Sequence, residues 1–262
     1  MCQNDSVVSF KFIQVNIYKG KYLDALVEFL KSENPDFISM QEVTTGAANF
    51  YEDKGANLFD LLAKKLNYRG VFHFDTKFSD AANSFFGNAV FSKWPIVKSQ
   101  VVELKTFGPI TLFEFNNNVN KIWENIARHM LDATVALGDL KIHAISIHGR
   151  RTAPPVDDAE NIRQAKLVAT YLRSLKDKPF VVGGDFNMPQ GSQVIKIVSE
   201  VSNNLMADVK ITQTLNPKVH ELGEKGYLVD FIFTSRHFKK ISIEVPQVTV
   251  SDHLPVVAQL EI

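Results

Sequence analysis

Acids, amides and imidazoles stand at or near the ends of apolar runs throughout this sequence. Phe12-Ile13-Gln14-Val15 leads to Asn16, and Phe37-Ile38-Ser39-Met40 leads to Gln41-Glu42. Ala144-Ile145-Ser146-Ile147 ends in His148, and Phe180-Val181-Val182-Gly183-Gly184 ends in Asp185-Phe186-Asn187. Asp230 lies inside Leu228-Val229-Asp230-Phe231-Ile232-Phe233, and Ser251-Asp252-His253 precedes the last apolar run. A carboxylate in an apolar strand is costly unless a cation or hydrogen bonds compensate it. Its recurrence implies one shared polar site at an edge of a sheet. Asp, Glu and Asn donors suit a hard cation, Mg²⁺ or Mn²⁺, better than structural zinc.

Taken singly, each residue has a structural explanation. Asn16 fits a strand-end turn, Glu42 a solvated strand end, and His148 a hydrogen-bonded core or rim position. Asp230 fits a buried acid paired with an arginine, and Asp252-His253 fits a turn. Gly183-Gly184-Asp185-Phe186-Asn187 is harder to explain in this way. Its glycines let the backbone pass close to another group, and Asp185 and Asn187 project to one side of an extended chain.

The elements that must position these residues alternate along the chain. Val7 to Asn16 reads as a strand. Tyr22, Leu23, Leu26, Val27 and Leu30 recur at helical spacing until Asn34-Pro35-Asp36, and Phe37 to Met40 is a strand. Leu58, Leu61, Leu62 and Leu66 predict a helix, followed by strands near Val71–Phe74 and Asn88–Ser92. Thr134–Leu137 and Lys141–His148 predict a hairpin turning at Gly138-Asp139. Asp158–Leu175 is a predicted helix, Phe180–Gly183 a buried strand, and Ser192 the cap of a helix reaching Val198. Leu228–Thr234 and Val256–Ile262 complete the strands. Phe107–Asn125 is expected to form a hairpin or a lid over the site.

Without a repeat, linker or low-complexity run, the 262 residues read as one α/β (α+β) domain spanning 1–262, within the size such domains reach. Hydrophobic residues at 45% and charged residues at 22% exclude a disordered chain. Twenty-nine basic residues balance 29 acidic ones, which disfavours a general nucleic-acid binder. The single cysteine, Cys2, rules out an intrachain disulfide and a cysteine metal cluster. Met1–Lys11 lacks a signal-peptide pattern, and no apolar stretch approaches the roughly 20 residues that cross a bilayer. A cytoplasmic monomer is expected.

Taken together, the segments Val15-Asn16, Gln41-Glu42, Gly87-Asn88-Ala89-Val90-Phe91-Ser92, His148, Gly184-Asp185-Phe186-Asn187, Val229-Asp230-Phe231-Ile232 and Ser251-Asp252-His253-Leu254-Pro255 resemble the endonuclease/exonuclease/phosphatase superfamily, in its order and over nearly the whole chain. The resemblance implies a DNase I-like four-layer sandwich: two packed mixed β-sheets flanked by helices. It implies that Glu42 is the principal metal ligand, helped by Asn16 and, at a second position, by Asp252. Asp185 would orient or deprotonate the attacking water, and Asn187 would hold that water or a phosphoryl oxygen. His253 would contact the phosphate or move a proton while Asp230 fixes its tautomer. His148 would stabilise phosphoryl oxygens from the opposite side, oriented by Asn88. Arg128, Arg150 and Arg151 are candidates to grip a phosphate.

The expected activity is therefore Mg²⁺- or Mn²⁺-dependent hydrolysis of a phosphodiester or phosphomonoester. The expected substrate is a phosphorylated small molecule or lipid headgroup, with a nuclease acting on DNA or RNA as the alternative. Repair-type members carry an acid where this chain has Tyr18 and a tyrosine where it has His148, which argues against abasic-site cleavage. A non-catalytic binding module would have lost a central residue, whereas Glu42, Asp185, Asn187, Asp252 and His253 are all present.

Overall fold

In the computed structural model, residues 7–262 are described; Cys2 and the first part of Met1–Lys11 lie outside them. In chain order the elements are β1 (Ser9–Asn16), α1 (Leu23–Glu33), β2 (Phe37–Thr45), α2 (Leu58–Leu66), β3 (Arg69–Lys77), β4 (Phe85–Ser92) and β5 (Ile96–Lys105). There follow α3 (Leu112–Asn116), β6 (Arg128–Leu137), β7 (Leu140–His148), α4 (Ala159–Leu175), β8 (Phe180–Asp185) and α5 (Gln193–Ser199). The chain closes with β9 (Asn203–Asn204), β10 (Asp230–Thr234), β11 (Lys239–Glu244) and β12 (Val256–Glu261). The strands form two six-stranded mixed sheets, ordered β11-β12-β1-β2-β4-β3 and β5-β6-β7-β8-β10-β9.

Alternation along β1 explains the layering. Phe10 and Phe12 enter the main core with Ile145, Val182 and Phe231 of the second sheet. Ile13 and Val15 face the other way and meet Leu23, Leu26 and Leu30 of α1. A period of two thus puts one face on the partner sheet and one on the helices. Each fully buried side chain of this size contributes about 1.5–3 kcal/mol. The helix ends follow local chemistry: Asn34 takes the left-handed conformation after α1, Asp158 accepts from the Asn161 amide, and Ser192 accepts from the Ile195 amide.

Each sheet contains one parallel pair joined through a helix. β1 and β2 run parallel with Asn16 opposite Gln41. β7 and β8 run parallel with His148 opposite Asp185. The carboxyl ends of parallel strands leave a crevice where ligands collect, and both pairs bring their polar ends to the same edge of the sandwich. The sheets touch closely there. A Cβ on Gly183 would lie 2.7 Å from Phe12 and 2.9 Å from Ser39 of the facing sheet. Ser39 donates to the Gly183 carbonyl at 2.9 Å, and Gln41 donates to Ser146 across the sheets at 3.0 Å.

One expectation changes, and strands appear that none anticipated. The segment Phe107–Asn125 is not a hairpin: it holds α3, opened by a Thr111–Glu114 capping box, and a 3-10 turn at Val119–Glu124. β5 and β11 are additional strands that the pattern did not reveal. Both are mostly exposed sheet edges, so they lack the alternation that burial imposes.

Candidate active site

Asp185 is the hub, fully buried at the end of β8. Its Oδ1 accepts from the Asn187 amide at 2.8 Å, and its Oδ2 accepts from Asn16 Nδ2 at 3.2 Å. The same Oδ2 lies 3.6 Å from His148 Nε2 and 3.7 Å from His253 Nε2. Residues from both sheets thus converge on one carboxylate oxygen. Burial pushes the Asp185 carboxyl up to about 7, against the pull of the His253 charge.

Asp230 opposes Asp185 in the β8–β10 register. Its Oδ2 accepts from His253 Nδ1 at 2.8 Å, and its Oδ1 accepts from Gln14 at 2.9 Å. Asp230 is a buried acid, as its sequence context implied, but its partner is histidine. Burial works against a charged His253 ring, yet the Asp230 and Asp185 carboxylates outweigh it and raise the pKa well above 6.5. Asp252 neighbours this pair, and burial, opposed by His253, lifts its carboxyl to about 6.

His148 is the opposite kind of imidazole. Burial, reinforced by the Arg128 and His253 charges, lowers its pKa well below 6.5. Arg128 Nη1 lies 3.3 Å from His148 Nδ1. Guanidinium can only donate, so Nδ1 accepts and the proton of the neutral ring sits on Nε2, facing Asp185. The site therefore holds a charged histidine on one side and a neutral N–H donor on the other.

Glu42 reaches the cleft through a strand irregularity. The β2–β4 register shifts between Met40 and Val43, and Glu42 has φ of 57°. A bulge with a left-handed residue re-aims the side chain that sits on it. Asn187 has φ of 55°, and its Nδ2 donates to the Gly149 carbonyl at 3.2 Å. A cleft of about 250 Å³ is lined by Asn16, Glu42, His148, Asp185, Asn187, Asp252 and His253. Its donors fit a hard divalent ion. Among the described residues Glu42 forms no ion pair within 4.0 Å, and two neighbouring carboxyls are raised by burial. His220, Asp252 and His253 also offer ligand atoms within 4.8 Å of one another.

Three predicted residues lie elsewhere. Asn88 is buried, off the cleft lining, and donates to the His129 carbonyl at 3.1 Å, while the group at His148 Nδ1 is Arg128. Arg128 is 2% exposed and lies behind His148, off the cleft wall. Arg150 turns away to the Glu124 carbonyl, Asp158 and Asn161. Its neighbour Arg151 lines the cleft, held by Glu221 and over the Trp123 ring.

One wall of the cleft is apolar and comes largely from the segment expected to be a hairpin or a lid, whose individual lining residues carried no signal of that role. Phe115 and Trp123 of the Phe107–Asn125 segment, with Phe86 and Ile126, form an apolar side. The Thr111-Leu112-Phe113-Glu114 capping box was a legible sign that this segment is helical. His220 and Lys19 also line the cleft. Neither carries a local signal beyond, for Lys19, its place three residues after Asn16.

Residues 13–253 match the Endonuclease/Exonuclease/phosphatase family. No curated protein matches the chain. Solved structures with the same fold include an endonuclease/exonuclease/phosphatase from Bacteroides vulgatus. It is 19% identical with a TM-score of 0.74, over 97% of this chain and 99% of that one. A mannosyl-6-phosphatase from Bacteroides thetaiotaomicron is 16% identical with a TM-score of 0.71, over 96% of this chain and 99% of that one. The human Nocturnin catalytic domain with bound sulfate is 18% identical with a TM-score of 0.67, over 97% and 96% of the two chains. Members of the matched family are generally hydrolases of phosphoester bonds, typically dependent on a divalent metal. With two mixed sheets, flanking helices and a family match spanning 13–253, this chain belongs to the endonuclease/exonuclease/phosphatase family.

Proposed function

We propose that the chain is a Mg²⁺- or Mn²⁺-dependent phosphoester hydrolase that acts on a phosphorylated small molecule or lipid headgroup. The observation that carries this reading is the convergence of Asn16, His148 and His253 on one oxygen of Asp185. Glu42, Asn16 and Asp252 are the residues that would hold the ion. When bound, it would neutralise charge growing on the phosphoryl oxygens.

Asp185 orients the attacking water and accepts its proton, a task suited to a carboxyl raised to about 7. Asn187 fixes the geometry of that water or of a phosphoryl oxygen. His148 donates from Nε2 to a non-bridging oxygen without changing charge. His253, held charged by Asp230, faces the same oxygens and can pass a proton to the departing alcohol.

The neutral net charge and the apolar wall of Phe115 and Trp123 favour a small substrate over an extended nucleic acid. Among similar folds, one is named as a sugar phosphatase and one holds a sulfate anion, in keeping with a phosphate site. Among the described residues, no helix is long and apolar enough to cross a membrane.

The test is a panel of nucleic acids, sphingomyelin-like lipids, phosphoinositides and nucleotide diesters, each with Mg²⁺, Mn²⁺ or EDTA. Cleavage of at least one small phosphoester, abolished by EDTA and by Asp185→Ala, is the expected result. Metal-dependent cleavage that survives Asp185→Ala would remove the basis of the proposal. Cleavage confined to nucleic acid would favour the nuclease.

A further inference from the structure

Lys19 sits in the 3-10 turn Tyr18–Gly20, just after β1. It is 6% exposed and is one of the residues that line the cleft. Its ammonium lies 3.6 Å from the Phe50 ring centroid and 5.1 Å from that of Phe115. Among the described residues it forms no ion pair within 4.0 Å. Arg151, which also lines the cleft, is held by Glu221, and the charged His253 ring is held by Asp230. Burial lowers the Lys19 pKa, while the Glu42 and Asp252 charges raise it.

A ring face offsets part of the cost of a buried cation but accepts none of its three N–H donors. The residue that carries them lines a cleft that, on the proposed reading, receives a phosphate. The groups around Asp185 can serve two non-bridging oxygens: His148 donates from one side and His253 from the other. A diester offers only those two oxygens and one charge. A monoester adds a third terminal oxygen and a second charge, and a compact ammonium responds to charge without demanding a fixed geometry.

We propose that Lys19 is a substrate-binding residue that takes the terminal oxygen of a dianionic phosphate and makes the cleft selective for phosphomonoesters. This rests on the phosphoester-hydrolase reading of the same cleft.

The test compares wild type, Lys19→Met and Lys19→Arg at pH 8 with Mg²⁺ present. Calorimetry measures binding of inorganic phosphate and of dimethyl phosphate. Kinetics compare p-nitrophenyl phosphate with bis(p-nitrophenyl) phosphate. Met keeps the aliphatic packing on Phe50 and removes the charge, and circular dichroism confirms that each variant folds. Wild type should bind inorganic phosphate about tenfold more tightly than dimethyl phosphate. Lys19→Met should remove that preference and lower the monoester-to-diester ratio of kcat/KM about tenfold, mainly through monoester KM. Lys19→Arg should restore much of it.

Equal losses for both phosphates, or wild type that prefers the diester or binds neither probe, would overturn the assignment. If the binding preference holds while neither ester is cleaved, the hydrolase reading fails and Lys19 remains an anion site. If both esters are cleaved and Lys19→Met leaves their ratio unmoved, the hydrolase stands and the role of Lys19 falls.

Discussion

Asp230→Asn tests the histidine pair while leaving the cleft's shape intact. In the wild type, Asp230 Oδ2 accepts from His253 Nδ1 at 2.8 Å, and its other oxygen is held by Gln14 at 2.9 Å. An asparagine that keeps its oxygen on Gln14 turns its amide N–H₂ toward His253. Nδ1 must then accept, and the proton moves to Nε2. Loss of correctly poised proton transfer costs about 10²- to 10⁴-fold in rate, or about 3–5 kcal/mol of barrier. The expected outcome is a kcat reduced by that factor with KM little changed, measured on whichever ester the panel identifies.

The same variant makes a signed prediction about pH. Folding raises His253 above its ordinary value of 6.5, through Asp230 and Asp185 acting against burial. The stabilisation this provides is therefore complete below about pH 6.5 and fades as pH climbs through the folded-state value. Asp230→Asn should lower Tm more at pH 6 than at pH 9. A kcat within threefold of wild type, or a Tm loss independent of pH, would refute the claim that Asp230 holds His253 charged and oriented.

Asp185→Asn should abolish turnover yet raise stability in EDTA by about 1–3 kcal/mol at pH 8. Burial raises this acid from 3.8 to about 7, so its ionised form destabilises the fold as pH rises through that window; urea melts at pH 5 and pH 8 check the sign. Glu42→Gln should raise the Mg²⁺ concentration for half-maximal activity by about tenfold or more, near the range seen when metal sites are weakened, as read by metal titration. Gly183→Ala should cost about 1–3 kcal/mol through overpacking, because its Cβ would press on Phe12 at 2.7 Å and Ser39 at 2.9 Å; an unchanged urea midpoint would show that the sheets can part there.

Much of the site was legible because strand ends are legible. Asn16, Glu42, His148, Asp185 and Asp230 each follow or interrupt an apolar run and His253 precedes one, a pattern visible without coordinates. The same periodicity revealed α1, α2 and α4, whose apolar faces are buried, and concealed β5 and β11, which burial scarcely constrains. Of the three arginine candidates, Arg151 lines the cleft while Arg128 and Arg150 do not, and the sequence could not separate them for a related reason. A guanidinium's role depends on what surrounds its far end, and nothing local tells Arg128 behind His148 from Arg151 at the cleft.

By itself the sequence determined which chemistry was available: hard oxygen donors, two histidines, one ending an apolar run and one following an acid, and the order that marks the family. Tertiary structure decided how those groups differ from one another. Two histidines with the same intrinsic pKa become a neutral donor beside Arg128 and a charged ring beside Asp230, because packing sets which charge each one faces. Structure also decided that a lysine in a short 3-10 turn lines the cleft, with its ammonium over the Phe50 ring and, among the described residues, without a carboxylate partner. Backbone pattern encodes burial, but the identity of a long side chain's neighbours is fixed only when distant segments meet.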